Sequence, residues 1–190
     1  MRLLLFGGTF NPVHWGHLVL AEELLAEFAY DLVLFVPSGR PPHKELAEDP
    51  GPEIRLEMLR LATLDNPAFA VDDCELRRAG PSYTIDTLRG LSSRWNFDGK
   101  PGLVLGDDLV PGYPSWREPD AVARESDIVV ARRTGELHPF PYPHREAANR
   151  LVPLSSSEIR ALAKAGQSLR YLVPEPVREL ILSRGLYGAR

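Results

Sequence analysis

The chain has 190 residues, enough for one well-buried core and too few for two independent ones. Its 26 acidic and 22 basic residues leave a mildly negative balance without the basic footprint of a general nucleic-acid binder, so an anionic ligand has to be held by a local site. A single cysteine, Cys74, excludes an intrachain disulfide, and no stretch approaches the roughly 20 apolar residues of a membrane span, so a cytoplasmic protein with no membrane partner is expected.

Met1 to Phe6 is a short apolar run, too brief for a signal peptide, and Leu18 to Tyr30 is amphipathic. Between them lies Gly7-Gly8-Thr9-Phe10-Asn11-Pro12-Val13-His14-Trp15-Gly16-His17, so strand, loop and helix follow without a spacer. Gly7 and Gly8 lack a Cβ, which lets the backbone approach a polyanion or adopt a positive φ. The loop opens onto a helix start, whose free N–H groups and positive dipole end favour a phosphate. His14 and His17 are three residues apart, and on a helical turn both imidazoles share one face, each able to donate in either protonation state near neutrality.

Leu32 to Val36 reads as a strand buried on both faces, closing a right-handed βαβ unit. Prolines then cluster between Pro37 and Pro52, around Ser38 to Lys44. Pro52 suits a first helical position, with Ile54, Met58, Leu61 and Ala62 as the buried stripe and Arg55 off it. Phe69 to Leu76 is expected as a third strand near an edge. Ser82 is expected to cap a helix that buries Ile85, Leu88 and Leu91.

Leu103 to Leu105 reads as a short strand broken by Gly106-Asp107-Asp108. Ser115 is a candidate cap before Trp116, whose ring offers a flat face. Asp127 to Ala131 is another buried strand and leads into Arg132-Arg133. Residues 134–150 give no recognisable chemistry, and Leu151 to Leu154 is expected as the last strand. Ser155 or Ser156 then caps a helix carrying Arg160, with Glu158 placed to close a capping box, and Val177, Leu180, Ile181 and Leu186-Tyr187 mark a terminal amphipathic helix. The alternation implies one domain over residues 1–190: an α/β, Rossmann-like, doubly wound parallel sheet with helices on both faces.

Gly-Thr-Phe-Asn-Pro-Val-His-Trp-Gly-His resembles the signature of the nucleotidyltransferases marked by a His-x-Gly-His pair, Asn11 standing where Asp or Asn is common. Pro-Pro-His-Lys at 41–44, Ser-Tyr-Thr-Ile-Asp-Thr-Leu at 82–88 and Leu-Ser-Ser-Ser-Glu-Ile-Arg at 154–160 narrow the resemblance to the bacterial nicotinate-nucleotide adenylyltransferases. It spans the chain, residues 134–150 matching least. The last of these differs from the family's Ile-Ser-Ser-Thr-x-Ile-Arg at Leu154 and Ser157, both conservative changes.

The resemblance implies that ATP and nicotinate mononucleotide combine to nicotinate adenine dinucleotide and pyrophosphate, without a protein nucleophile. It implies ATP contacts at Gly7, Gly8, Thr9, Phe10, His14, His17, Gly106, Asp107, Ser155, Ser156 and Arg160. Mononucleotide contacts fall to Tyr83, Thr84, Asp107, Trp116, Arg133 and Lys44, and the catalytic charges to His14, His17, Lys44 and Arg160; Lys44 and, after it, His43 are implied to help hold phosphates. For Lys44 the sequence alone is equally satisfied by a solvated loop charge. Mg²⁺ is expected to accompany the ATP phosphates and not to sit in a protein cage. The histidine pair lacks the third ligand a zinc site needs.

Two rival readings remain open: a superfamily member acting on another phosphate such as phosphopantetheine, and a catalytically idle nucleotide sensor. Selectivity for nicotinate over nicotinamide and self-association are also left open.

Overall fold

The computed structural model describes residues 1–40, 48–136 and 138–189. Six strands form one sheet: β1 (Leu3–Gly8), β2 (Leu32–Pro37), β3 (Phe69–Val71), β4 (Gly102–Gly106), β5 (Asp127–Ala131) and β6 (His144–Glu146), in the order β3-β2-β1-β4-β5-β6. Every pairing is parallel, with Leu5 opposite Leu34 on one side and Leu103 on the other. The chain therefore winds outward from β1 in one direction and, after α4, in the other. The order reverses between β1 and β4, and in such sheets the crevice beyond the carboxyl ends at that point takes the ligand.

Strand residues alternate between two cores. Leu4, Phe6, Val33, Phe35, Val104 and Val129 face α1 (Trp15–Phe28), α2 (Pro52–Thr63), α6 (Ser156–Lys164) and α7 (Glu175–Ser183). Leu3, Leu5, Leu34, Leu103, Leu105 and Ile128 face α3 (Cys74–Arg77), α4 (Thr84–Leu91) and α5 (Pro119–Glu125). This two-sided burial explains why β1 and β2 read as continuous apolar runs instead of alternating ones. Two 3-10 helices, Asp107–Ser115 and Leu186–Gly188, complete the elements.

Five local expectations are corrected. The third strand stops at Val71, because Asp72 Oδ1 accepts from the Cys74 amide at 2.9 Å, an aspartate turn that starts α3. Leu151 to Leu154 is no strand: Pro153 has no N–H for a ladder, and the Leu154 amide turns back to Val152 O at 2.8 Å. The last strand is instead His144–Glu146, inside the stretch that gives no recognisable chemistry from sequence. It is a charged edge strand, and charge on an edge resists pairing with another chain.

Ser82 does not cap α4; Tyr83 holds that position without a side-chain bond. Trp116 starts no helix either, since it follows the 3-10 helix and donates its amide to Tyr113 O at 2.9 Å. The late helix matches expectation at its cap: Ser155 Oγ accepts from the Glu158 amide at 3.1 Å, which closes half of the anticipated capping box.

Candidate active site

The loop after β1 is built on aromatic packing. Phe10, with a φ of 49°, sits in the left-handed region that a bulky residue enters only under constraint. Its ring is buried edge-on against Phe6, Phe35 and His17, with centroids 5.7, 5.8 and 5.1 Å away. A Cβ on Gly8 would meet that ring at 2.9 Å, whereas the space in front of Gly7 is open. Neither glycine has a positive φ, one of the two conformational uses open to them; in this loop that conformation belongs to Phe10. Gly8 makes room for the aromatic plug, and only Gly7 offers bare backbone to the crevice.

His14 takes the cap position of α1 in extended conformation, and its amide donates to His17 Nδ1 at 3.3 Å. With Nδ1 accepting, neutral His17 carries its proton on Nε2 and presents a donor there. The two rings lie 3.8 Å apart, as their spacing predicts. His14 is 3% exposed, and neither of its ring nitrogens has a hydrogen-bond partner among the described residues.

Burial, and then the positive charge of Arg133, lower the His14 pKa to about 3. Burial, His14 and Arg133 hold His17 well below its ordinary value. Both rings are therefore neutral near pH 7, which corrects the expectation that they titrate near neutrality.

The late turn converges on the same loop. Arg160 Nη1 donates to Asn11 O at 2.9 Å and Ser156 Oγ to Pro12 O at 2.9 Å, which joins residues almost 150 positions apart. Tyr187 OH, from the C-terminal 3-10 helix, donates to Asn11 Oδ1 at 2.7 Å and braces the loop from behind. Arg160 Nε is buried without a hydrogen bond and lies 3.5 Å from Glu48 Oε2. Lys164 Nζ reaches the other Glu48 oxygen at 3.0 Å.

Across the strand reversal, Gly106 ends β4 and Asp107 begins the 3-10 helix. Burial alone would raise the Asp107 pKa. The amides of Thr134, Arg133 and Gly135, at 2.9, 3.0 and 2.8 Å, outweigh it and keep the carboxyl ionised below the usual range. Asp107 thus organises the turn after β5 and aims Arg133, whose Nη1 bonds Asp108 Oδ2 at 3.2 Å and whose charge reaches the histidines.

The remaining expected contacts lie on the far flank. Tyr83 caps α4 with its ring 4.7 Å beneath the Arg117 guanidinium, and Thr84 is the first residue of the helix. Half-buried Trp116 stacks on Tyr113, centroids 5.1 Å apart. Ser82 Oγ accepts from the Gly39 and Arg40 amides at 3.1 and 3.3 Å and so fixes the turn after β2 to the start of α4. Lys44, and His43 beside it, lie outside the described residues.

Three residues escaped the sequence reading. Arg55 is wholly buried: Nε bonds Asp49 Oδ1 at 3.0 Å, Nη1 donates to Thr9 O at 2.9 Å and Ser38 O at 2.8 Å, and Nη2 to Gly39 O at 3.5 Å. Its signal was present, since Arg55, Met58, Leu59 and Thr63 form an i, i+3, i+4, i+8 face one position off the apolar stripe. Glu48 and Tyr187 left no comparable trace.

Among the described residues, no three His, Cys, Asp or Glu side chains are grouped to hold a metal ion, and no helix is long and apolar enough to cross a membrane. What the arrangement offers is a pair of neutral imidazoles and an arginine brought to one loop.

Residues 5–162 match the cytidylyltransferase-like family model. A "probable nicotinate-nucleotide adenylyltransferase" of Treponema pallidum is 41% identical over 202 residues, covering 98% of this chain and 99% of the relative. Nicotinic acid mononucleotide adenylyltransferase of Plasmodium falciparum, solved with APC and with NaAD, superposes with TM-scores of 0.74 and 0.75 at 17% identity. Each comparison covers 100% of this chain and 98% of the other, a likeness of fold.

Proposed function

From the premise that the chain belongs to the nicotinate-nucleotide adenylyltransferases of the cytidylyltransferase-like family, we infer that it transfers the adenylyl group of ATP to nicotinate mononucleotide. The products are nicotinate adenine dinucleotide and pyrophosphate. The mononucleotide phosphate attacks the ATP α-phosphorus in line: one P–O bond forms as the bond to pyrophosphate breaks, and no protein atom becomes covalently attached.

The work left to the chain is to hold two polyanions together and to meet charge on the α-phosphate and leaving group. The observation that carries this reading is the tie between α6 and the loop that opens α1, Arg160 Nη1 to Asn11 O and Ser156 Oγ to Pro12 O, which brings a permanent cation to the loop that carries His14 and His17. Buried polar atoms without hydrogen bonds cost about 1–3 kcal/mol each, and the two ring nitrogens of His14 have none among the described residues, which supports a polar ligand at this loop.

In the proposed assignment His14, His17, Ser155, Ser156 and Arg160 take the ATP phosphates, with Lys44 as an added cation. Gly7, Gly8, Thr9 and Phe10 shape the loop beneath them, and Gly106 and Asp107 border the adenosine side. Arg160 supplies permanent charge, while the neutral histidines donate N–H bonds without a proton-transfer step.

The amides at Tyr83 and Thr84 suit the carboxylate of the pyridine ring, Trp116 its face, and Arg133 the region between the two phosphates. Mg²⁺ belongs to the ATP phosphates in this reading, bound through phosphate oxygens and water. The test is pyrophosphate release with ATP and, side by side, nicotinate mononucleotide, nicotinamide mononucleotide and phosphopantetheine. Fastest turnover with the first is expected; fastest turnover with phosphopantetheine would overturn the assignment.

A further inference from the structure

Arg55 has no part in the chemistry above, yet it is the largest fully buried side chain among the described residues. A buried guanidinium is a poor way to stabilise a fold, because apolar residues of the same volume commonly serve as well or better. Its contacts supply a different reason for its presence. One planar fork joins the carbonyl of Thr9, in the loop beneath the histidines, to the carbonyls of Ser38 and Gly39, in the turn after β2. Asp49 balances the charge and anchors the approach to α2.

The line continues beyond Gly39. Its amide and that of Arg40 donate to Ser82 Oγ, and Ser82 directly precedes Tyr83 and Thr84. Gly39 itself leaves no slack, since a Cβ there would lie 2.5 Å from Glu75 O. A continuous set of hydrogen bonds therefore runs from Thr9 through Arg55, Gly39 and Ser82 to the start of α4. That path links the proposed ATP side of the crevice to the proposed mononucleotide side.

We propose that Arg55 is a positioning residue that sets the spacing between the Thr9 loop and, through Gly39 and Ser82, the start of α4, touching neither substrate. The proposal rests on the adenylyl-transfer reading. In-line displacement tolerates little error in approach, and a misplacement near 1 Å costs on the order of 100-fold in rate. Lysine at position 55 keeps the charge but loses the fork that reaches two loops at once.

The test compares Arg55→Lys, Ser82→Ala and the double variant in the full chain. A non-hydrolysable ATP analogue, titrated by calorimetry, counts competent sites and gives one Kd. Nicotinate mononucleotide gives the second, and pyrophosphate release at saturation gives kcat per competent site.

Arg55→Lys is expected to lose about 10-fold or more in kcat per site, with each separate Kd within about threefold of the parent. Ser82→Ala loses less, and the double variant is no worse than Arg55→Lys alone, because both changes cut one line. A merely structural arginine would lower the number of competent sites and leave kcat per site unchanged. That result, or a double-variant loss equal to the product of the singles, overturns the proposal. Failure of the parent chain to release pyrophosphate would sink the activity and this inference with it, whereas a fully active Arg55→Lys sinks the inference alone.

Discussion

The two flanks of the crevice handle their polar groups in opposite ways. On the histidine flank, His14 and Arg160 keep buried nitrogens without a hydrogen bond among the described residues, beside a loop in which Phe10 packs on His17 and Tyr187 braces Asn11. On the aromatic flank the polar groups are engaged: Asp107 holds three amides, Ser82 holds two, and Thr87 Oγ1 donates to the buried Glu75 carboxylate at 2.7 Å. The first flank is a socket of buried nitrogens that make no hydrogen bond among the described residues. The second is a finished scaffold that offers ring faces and helix-end amides. Donors aimed in advance at developing charge lower a barrier most, so the proposed assignment gives chemistry to the socket and selection to the scaffold.

Replacing one donor of the socket should have the largest effect. His17→Ala is expected to lower kcat by about 100-fold or more, the loss typical of a missing transition-state donor, with far-UV circular dichroism unchanged. A well-folded variant with a near-parental rate would remove His17 from the mechanism and erase the contrast between the flanks.

The neutrality of the socket can be read as stability. The folded His14 pKa, about 3, lies below the ordinary 6.5, so the unfolded chain binds the extra proton between those values. The stabilisation is thus complete above pH 6.5 and is lost as pH falls toward 3, at up to about 1.4 kcal/mol per pH unit. Asp72 and Asp107 are held below the ordinary aspartate value, so their losses begin at lower pH, and Glu75, raised by burial, contributes with the opposite sign. The informative quantity is the difference between the parent and His14→Asn in chemical denaturation from pH 7 to 4.5. The variant should show the shallower decline, and equal slopes would contradict the buried neutral ring.

On the scaffold flank the effects should be smaller and confined to binding. Trp116→Ala is expected to raise KM for nicotinate mononucleotide about fivefold, in keeping with a lost aromatic face, while kcat and KM for ATP stay near parental values. A fall in kcat comparable to that of His17→Ala would show that Trp116 shapes the reacting geometry and that the division between the flanks is wrong.

The sequence made the socket far easier to read than its supports. The glycine-to-histidine loop and the Ser155 cap rest on local rules, namely the strand-loop-helix order, the three-residue histidine spacing and the side-chain cap. Arg55 was misplaced because arginine is almost always exposed, so the helix face was phased on Ile54 and Leu61 rather than on Met58 and Leu59 together. Strand β6 was missed because His144-Arg145-Glu146 carries no apolar signal; pairing with Ile128 to Val130 makes it a strand, and that is a tertiary fact. The Asp107 amide cage was likewise invisible, since it spans 26 to 28 residues.

The smallest expected effect concerns Glu48, a carboxylate that pairs with Arg160. Glu48 lies 3.5 Å from Arg160 Nε and 3.0 Å from Lys164 Nζ, and these cations lower its own pKa, Lys164 chiefly and Arg160 less. In the proposed assignment an incoming phosphate competes with it for Arg160. Both Glu48 and Lys164 are exposed, so solvent screening keeps the pair weak, and Glu48→Gln should lower KM for ATP by only about twofold. Raising the salt concentration screens the carboxylate, and the difference between parent and variant should then shrink. A KM for ATP that rises in Glu48→Gln would mean that Glu48 orients Arg160 for the phosphate, which would make it part of the socket and not a competitor for it.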